Sequence, residues 1–243
     1  MSYTDRGELK FLIDYRKYCK LLEYIRPYTE PDKFAGTNGT YLVSSVYYDT
    51  PGNRFYWEKI DGEKVRKKVR IRSYLDSKTC KPLHTILEVK KKDDRNVYKA
   101  KAEMDFSDAV TILNGPSTEK LHSKKFSVKE KTAIDDVLYL RHKFGLQPKI
   151  MVAYERQAFY DSASHNTRLT FDLNIGYRTV DLRNPDPQTS RYAIPPNLVV
   201  LEVKYKKFMP VWTMNMIRIF DLRLTTVSKY CEAMNNSLPE KDF

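Results

Sequence analysis

Eight segments of the chain alternate charged and apolar residues, and this alternation limits the fold more than any other feature. Side chains of a β-strand point to opposite faces in turn, so residues two apart share a face. Such runs are typical of strands with one polar and one apolar face. The sequence predicts strands in the region that begins Glu8-Leu9-Lys10 and at Leu42–Tyr48, Lys64–Tyr74, Thr85–Lys92, Val97–Met104, Ile150–Tyr160, Arg168–Ile175 and Leu198–Lys206.

The motif Leu-Glu-Val-Lys occurs twice in these runs, at 87–90 and at 201–204. Each copy places a carboxylate and an ammonium on one face and two apolar residues on the other. The other strands repeat this division into a charged and an apolar face. On the charged face, Glu8 is next to Lys10, Lys68 to Arg70 and Arg72, Glu88 to Lys90 and Lys92, Lys99 to Lys101 and Glu103, Arg168 to Thr170 and Asp172, and Glu202 to Lys204 and Lys206.

Helical periodicity appears between the strands, without a regular strand-helix-strand rhythm, which favours an antiparallel sheet with helices packed on it. Ser127 and Glu130 predict a capping box. The fold class is therefore α+β, and we expect one domain over residues 1–243 with a long loop at Arg183–Pro196. Helices are predicted at Tyr15–Tyr28, Ser107–Leu113, Val128–Phe144, Val211–Phe220 and Ser228–Asn235.

Two arrangements of the charged face are compatible with the pattern. It is either the solvated side of an open sheet or the lining of an antiparallel closed β-barrel of about eight strands that forms a basic tunnel. Helices need an apolar surface to pack on, and the only continuous apolar face lies opposite the charges. This favours the barrel with its helices outside.

Composition points to an anionic partner. The 243 residues include 43 basic and 31 acidic ones, a formal net charge of +12, which suits nucleic acid, an acidic membrane surface or a phosphate-rich small molecule. The three cysteines are far apart and fit a reducing cytoplasm better than a disulfide framework. We expect no secretion signal, and no apolar run approaches the roughly 20 residues that span a bilayer.

Acids and bases on one face suit a polyphosphate that carries a divalent cation. Bases hold phosphate oxygens, and carboxylates hold Mg²⁺ or Mn²⁺, which prefer oxygen ligands. Arg70 and Arg72 could clamp phosphate bidentately, while lysines act as point charges. With eight glycines the chain has neither GxxxxGK(S/T) nor GxGxxG, so side chains would hold the phosphates. Nucleic acid is disfavoured, because the residues beside Arg70, Lys90 and Lys204 on their face are mostly charged rather than aromatic.

Several ordered stretches make the sequence resemble the triphosphate tunnel metalloenzymes (the CYTH-like superfamily), above all their VTC (vacuolar transporter chaperone) branch, the polyphosphate polymerase domain. The resemblance covers nearly the whole chain and implies the barrel inferred above. The stretches are Glu8-Leu-Lys10-Phe-Leu-Ile, SVYYDTPGNRFY from Ser45, KVRIR from Lys68, LEVKKK from Leu87, VAYERQAFY from Val152, RLTFDLNI from Arg168, LEVKYKKFMPVW from Leu201, and SKY from Ser228.

The resemblance also implies roles for individual residues. Glu202 is the expected main metal ligand, with Glu8 and Glu88 in support and Mn²⁺ or Mg²⁺ as the cofactor. The expected catalytic residues are Arg70, Arg72, Arg156, Arg168 and Lys229. The expected phosphate-binding residues are Lys10, Lys68, Lys90, Lys99, Lys101, Lys204 and Ser228.

Two positions depart from the wider pattern. Arg6 stands where the superfamily opens with its first acid, which weakens a two-metal hydrolytic site and suits the VTC branch; Lys101 stands where an arginine is more common. The resemblance implies a cytoplasmic, metal-dependent polyphosphate polymerase that uses ATP, with a membrane partner left open. The alternatives are a triphosphatase of the same fold, acting on inorganic triphosphate or nucleoside triphosphates, and a non-catalytic polyphosphate-binding module.

Overall fold

A computed structural model describes residues 6–32, 34–35, 39–94, 96–115 and 125–238. All eight predicted strand regions and all five predicted helices are present, and the predicted loop at 183–196 contains one short strand. The elements are β1 (Arg6–Asp14), α1 (Tyr15–Ile25), β2 (Thr29–Pro31), β3 (Tyr41–Asp49), α2 (Arg54–Ile60), β4 (Val65–Leu75), β5 (Pro82–Asp93), β6 (Asn96–Glu103), α3 (Phe106–Asn114), α4 (Val128–Phe144), β7 (Gln147–Asp161), β8 (Thr167–Arg178), β9 (Arg191–Tyr192), β10 (Leu198–Lys206), α5 (Val211–Ile219) and α6 (Lys229–Ser237).

Hydrogen bonds give the strand order β1-β10-β8-β7-β3-β4-β5-β6, with β2 on β7 and β9 on β8. The β1–β10, β10–β8, β3–β4, β4–β5 and β5–β6 ladders are antiparallel. The α+β antiparallel class is therefore confirmed.

The predicted closure of the barrel is wrong for the described residues, because no ladder among them joins β1 to β6. Residues 224–225 already pair with the outer edge of β1. Thr225 N–H donates to the carbonyl of Lys10 at 2.9 Å, and Leu224 forms a bridge with Phe11. Covering an edge in this way removes the unpaired backbone groups that another strand would need.

The contacts between residues divide the chain into two compact units. The single domain expected over residues 1–243 stays a prediction. The first unit comprises Met1–Tyr41, Tyr154–Ile175 and Ile194–Ser228, and the second comprises Leu42–Ala153, Gly176–Ala193 and Lys229–Phe243. Strands β3, β7 and β8 contribute residues to both units.

In the first unit, α1 packs on β1 and β10. Leu21 and Ile25 of the helix join Phe11, Leu201 and Val203 of the strands in one buried apolar cluster. Alternation places Glu202 and Lys204 on the opposite face of β10. Helices therefore cover the apolar face of this unit, as the sequence predicts.

The second unit repeats this arrangement with other elements. Helices α3 and α4 pack on β4, β5 and β6, and α2 packs on β4. Val69, Ile71, Leu87 and Val89 are buried in a cluster with Ile112 and other residues of these helices. The predicted capping box at the start of α4 is present: Ser127 Oγ accepts from Glu130 N–H, and Glu130 accepts from Ser127 N–H.

No helix in the part of the chain that the structure describes has both the length and the apolar character needed to cross a bilayer. The predicted cytoplasmic location and the membrane partner stay predictions.

Candidate functional site

The charged face of the first unit brings four predicted residues into contact. The β1–β10 register sets Lys10 opposite Glu202 and Glu8 opposite Lys204. Lys10 Nζ lies 3.3 Å from Glu8 Oε1 and 3.4 Å from Glu202 Oε1, and Lys204 Nζ donates to Glu202 Oε2 at 2.9 Å. Glu202 is only 7% exposed, which a solvated sheet face would not produce.

The chemistry of these donors fits a divalent cation. Glu8 and Glu202 already share one cation, the ammonium of Lys10, and carboxylate oxygens are the ligands that Mg²⁺ and Mn²⁺ prefer. Within the described residues, no group of three or more His, Cys, Asp and Glu side chains is placed to hold a metal ion. Magnesium sites often use only one or two carboxylates together with substrate phosphates.

Arg156 is held in the first unit by a carboxylate to which the sequence assigned no role. Its Nε donates to Asp172 Oδ1 at 2.6 Å and its Nη2 to Asp172 Oδ2 at 2.8 Å. Burial alone would lower the pKa of Arg156, but the charge of Asp172 outweighs it and raises the pKa well above the usual range. Arg156 is therefore a permanently charged, rigidly oriented side chain.

Arg168 is anchored by Asp32, which the sequence analysis missed. Arg168 Nη2 donates to Asp32 Oδ2 at 2.6 Å and to the hydroxyl of Tyr41 at 3.1 Å. Its buried Nε has no hydrogen-bond partner among the described residues. Asp32 lies just after β2, outside any alternating run, so the sequence carries no periodic signal for this contact.

The second unit contains a row of three lysines on adjacent strands. Lys68 of β4 is opposite Lys90 of β5, which is opposite Lys99 of β6. Like charges at directly opposed positions destabilise a sheet. A bound anion on this face would lower that repulsion.

The next row alternates in sign. Arg70 is opposite Glu88, which is opposite Lys101. Arg70 Nη2 lies 3.0 Å from both oxygens of Glu88. Burial would raise the pKa of Glu88, but Arg70 above all, then Arg72 and Lys101, hold it well below the usual range. Both oxygens of Glu88 thus contact an arginine, and the carboxylate orients Arg70.

Arg72 lies one row further along β4. Its Nε donates to Ser45 Oγ at 3.3 Å, and the register places Arg72 directly opposite Ser45 of β3. The two arginines therefore share one face, as their spacing predicts.

Tyr47 is a further residue of this face that the sequence analysis missed. It lies opposite Arg70, and its hydroxyl accepts from Arg70 Nη1 at 3.3 Å. Lys68 Nζ lies 5.5 Å from the centre of its ring. Burial would raise the pKa of Tyr47, but the charges of Arg70, Lys68 and Arg72 together lower it to about 8. The period-two position of Tyr47 beside Ser45 was the available signal.

The carboxylate of Asp49 holds much of the SVYYDTPGNRFY stretch in its observed conformation. Its Oδ1 accepts from the N–H groups of Thr50 and Phe55 at 2.6 and 2.9 Å, and its Oδ2 accepts from Tyr56 N–H at 2.9 Å and from the Tyr230 hydroxyl at 2.6 Å. One buried carboxylate thus fixes the start of α2 and the start of α6.

Tyr230 places the start of α6 against the cationic row. Its ring stacks on Tyr47 with 4.8 Å between ring centres, and Lys68 Nζ lies 5.3 Å from it. Lys229, the first residue of α6, directly precedes this contact.

The predicted site residues thus fall into two sets, one in each unit. The first set is Glu8, Lys10, Arg156, Arg168, Glu202, Lys204 and Ser228; the second is Lys68, Arg70, Arg72, Glu88, Lys90, Lys99, Lys101 and Lys229.

A family model described as the VTC domain matches residues 5–238. No curated protein matches the chain.

Several solved structures share the fold. A protein from Bacillus halodurans that is named as an adenylate cyclase is 11% identical, with a TM-score of 0.52 over 92% of this chain and 95% of that one. HpAC1 from Hippeastrum, named as an adenylyl cyclase with a dominant triphosphatase activity, is 13% identical, with a TM-score of 0.53 over 97% and 98%. The PH1819 protein from Pyrococcus horikoshii is 13% identical, with a TM-score of 0.50 over 96% and 99%.

Proposed function

Because the chain belongs to the VTC domain family, we propose that it is a metal-dependent polyphosphate polymerase that transfers the γ-phosphate of ATP to a growing polyphosphate chain. The observation that carries the proposal is the cationic row Lys68–Lys90–Lys99 on three adjacent strands. A linear polyanion neutralises several such cations at once, whereas a small monoanion neutralises few.

The arginines supply fixed charge for the transfer. Phosphoryl transfer depends mainly on positioning and on stabilising charge on the phosphoryl oxygens. Glu88 orients Arg70 and Asp172 orients Arg156, so these guanidinium groups need little reorganisation when phosphate binds. Arg72 in the second unit and Arg168 in the first add further donors, and the lysines of each set would bind phosphate oxygens on the charged face of their own unit.

Glu202 and Glu8 would hold the Mg²⁺ or Mn²⁺ ion, in exchange for the ammonium of Lys10 that they now share. When bound, the ion neutralises charge on the phosphates. Lys10 and Lys204 would supply ammonium groups for phosphate oxygens on the same face.

The proposed reaction balances as a single displacement. A terminal phosphate oxygen of the polyphosphate chain forms a bond to the γ-phosphorus of ATP, and the bond between that phosphorus and the β,γ-bridging oxygen breaks. ADP leaves with the electron pair, and the chain is longer by one phosphate.

A triphosphatase is the second candidate, since HpAC1, which shares the fold, is named for that activity. It would use water as the acceptor and need a general base. At the first acidic position of the superfamily this chain has Arg6, which lies opposite Lys206. The always-protonated guanidinium of Arg6 cannot act as a general base there, which favours the polymerase.

Gel electrophoresis of the products separates the candidates. The purified protein is incubated with ATP and Mn²⁺ or Mg²⁺. A polyphosphate ladder supports the polymerase, orthophosphate alone supports the triphosphatase, and no turnover supports a binding module. Glu202→Gln should abolish the ladder; if it left the ladder intact, the metal assignment would be wrong.

A further inference from the structure

Thr170 of β8 has a buried hydroxyl group without a partner. The residue is 1% exposed, and its Oγ1 has no hydrogen-bond partner among the residues that the structure describes. Burying a hydroxyl without a hydrogen bond costs free energy. Native proteins leave few buried polar groups unpaired, and a bound ion is one explanation for those that remain.

The strand register places Thr170 in the charged row of the first unit. Thr170 is opposite Glu202 in the β8–β10 ladder, and Glu202 is opposite Lys10 in the β10–β1 ladder. Directly opposite residues of an antiparallel pair have Cβ atoms about 4.5–5.5 Å apart and lie on the same face of the sheet. The hydroxyl of Thr170 is therefore on the face that carries the carboxylate of Glu202.

Thr170 and Glu202 do not hydrogen-bond with each other. The oxygens of Glu202 contact the ammonium groups of Lys10 and Lys204, whereas Thr170 Oγ1 has no partner in the described part of the chain. Two neighbouring side chains thus carry oxygen atoms on one face, and one of these atoms has an unused lone pair.

A hydroxyl group suits the ligand set that a divalent cation would find here. Among the described residues, the acidic, histidine and cysteine side chains form no group of three or more that could hold a metal ion. Mg²⁺ prefers oxygen ligands, and threonine hydroxyls bind Mg²⁺ in nucleotide-binding proteins. Thr170 would add such an oxygen without adding a further negative charge.

Thr167 of the same strand shows what distinguishes Thr170. It is also buried, and its Oγ1 also has no partner within the described ranges. Alternation places Thr167 on the other face of β8, with Leu169, and its residue opposite is Tyr205. Only Thr170 of these two threonines has a carboxylate opposite it.

We propose that the hydroxyl of Thr170 is an oxygen ligand of the divalent cation that Glu202 and Glu8 would hold. The hydroxyl then gains the partner that it lacks, and the ion gains a neutral ligand from β8 beside the carboxylates of β10 and β1. This inference rests on the metal site of the proposed function.

Isothermal titration calorimetry with Mn²⁺ alone tests the assignment, and the relevant site is the one that Glu202→Gln abolishes. Thr170→Val keeps the shape of the side chain but removes the hydroxyl. It should weaken Mn²⁺ binding at this site about tenfold, the lower end of the loss that follows changes around metal ligands. Thr170→Ser keeps the hydroxyl and should bind Mn²⁺ as the wild-type protein does.

The melting temperature without metal is a second readout, which separates a ligand from a structural group. Thr170→Val should unfold at the same temperature as the wild-type protein or at a higher one, because it removes a buried hydroxyl that has no partner. A lower melting temperature with unchanged Mn²⁺ affinity would assign the hydroxyl a structural role and overturn the proposal.

Thr167→Val is the matched control, because it removes an equally buried and unpaired hydroxyl from the other face of β8; it should leave Mn²⁺ affinity unchanged. Equal affinities of wild-type protein and Thr170→Val, or equal weakening in both valine variants, would refute Thr170 as a ligand while the proposed function stands. Wild-type protein without an Mn²⁺ site that Glu202→Gln removes would refute the metal site of the proposed function and, with it, the role of Thr170.

Discussion

The hydroxyl of Tyr47 makes the stability of the protein depend on pH. The pKa of Tyr47 is about 8 in the folded protein, against 10 for an ordinary tyrosine. Between these values the unfolded state binds more protons than the folded state, so stability rises with pH across that window and is lost as pH falls through 8. The difference between these two pKa values corresponds to at most about 2.7 kcal/mol of stability.

Urea denaturation at pH 7.5 and at pH 9.5 measures this effect in wild-type protein and in Tyr47→Phe. We expect the free energy of unfolding of wild-type protein to gain about 1–3 kcal/mol relative to the variant at the higher pH. The comparison cancels the titration of other groups. Equal pH dependence in both proteins would show that Tyr47 keeps its proton.

The buried pair of Arg156 and Asp172 predicts a large loss of stability when one partner is neutralised. Arg156 is 3% and Asp172 0% exposed, and removing one charge of a buried pair costs about 3–5 kcal/mol. Urea denaturation of Asp172→Asn should show a loss near the lower value, since asparagine still accepts one hydrogen bond.

Asp221→Asn serves as the control for Asp172→Asn, because Asp221 forms a highly exposed pair with Arg223 and exposed pairs contribute little. If the two variants lost equal stability, the Arg156–Asp172 pair would not have the energetic role assigned to it.

At the residue scale, the sequence predicted which side chains share a face but not which of them pair. Alternation places Glu202 and Lys204 on one face, and it places Tyr47 on the same face as Ser45. The contacts of Lys10 with Glu202 and of Tyr47 with Arg70 depend on strand order and register. Asp32 lies outside any alternating run. The family resemblance implied a supporting metal role for Glu88, yet both of its oxygens contact Arg70. Its metal role stays a prediction.

At the scale of elements, Asp49 couples the starts of two helices. Its carboxylate accepts three backbone N–H groups and the hydroxyl of Tyr230. Hydrogen bonds to charged groups contribute about 1.5–3 kcal/mol each. Asp49→Asn should therefore lower the free energy of unfolding by about 2 kcal/mol and speed amide hydrogen exchange at Phe55 and Tyr56.

The matched variant for Asp49→Asn is Ser127→Ala, which removes the cap of α4 and costs about 1 kcal/mol. It should leave exchange at Phe55 and Tyr56 unchanged. Unaltered exchange there in Asp49→Asn would mean that α2 is held by other contacts.

Most elements were predictable because strand and helix periodicities differ and each extends over many residues. Helix α2 was missed, since its seven residues give less than two full turns and follow the turn-forming Pro51-Gly52-Asn53. Barrel closure was predicted wrongly because the pattern gives the faces of strands and not their edges. The edge of β1 is covered by 224–225, a segment with no strand pattern of its own.

At the scale of the whole molecule, the net charge of +12 is expected to couple stability to polyanions. A ligand that binds only the folded state raises the free energy of unfolding by about 2.7 kcal/mol at one hundred times its dissociation constant. Tripolyphosphate should therefore raise the melting temperature, and added salt should reduce this gain by screening. Thermal unfolding with and without tripolyphosphate, at low and high salt, measures the rise in melting temperature and its dependence on salt. A rise that is the same at both salt concentrations would contradict an electrostatic site.

The most direct measurement of the central claim is the stoichiometry of products from ATP and a divalent cation over a time course. ADP, orthophosphate and the phosphate in polyphosphate chains, separated from nucleotides, are quantified together. A polymerase releases one ADP for each phosphate added to the chain and almost no orthophosphate, and this is the predicted result. ADP matched by orthophosphate, with no chain phosphate formed, would contradict it.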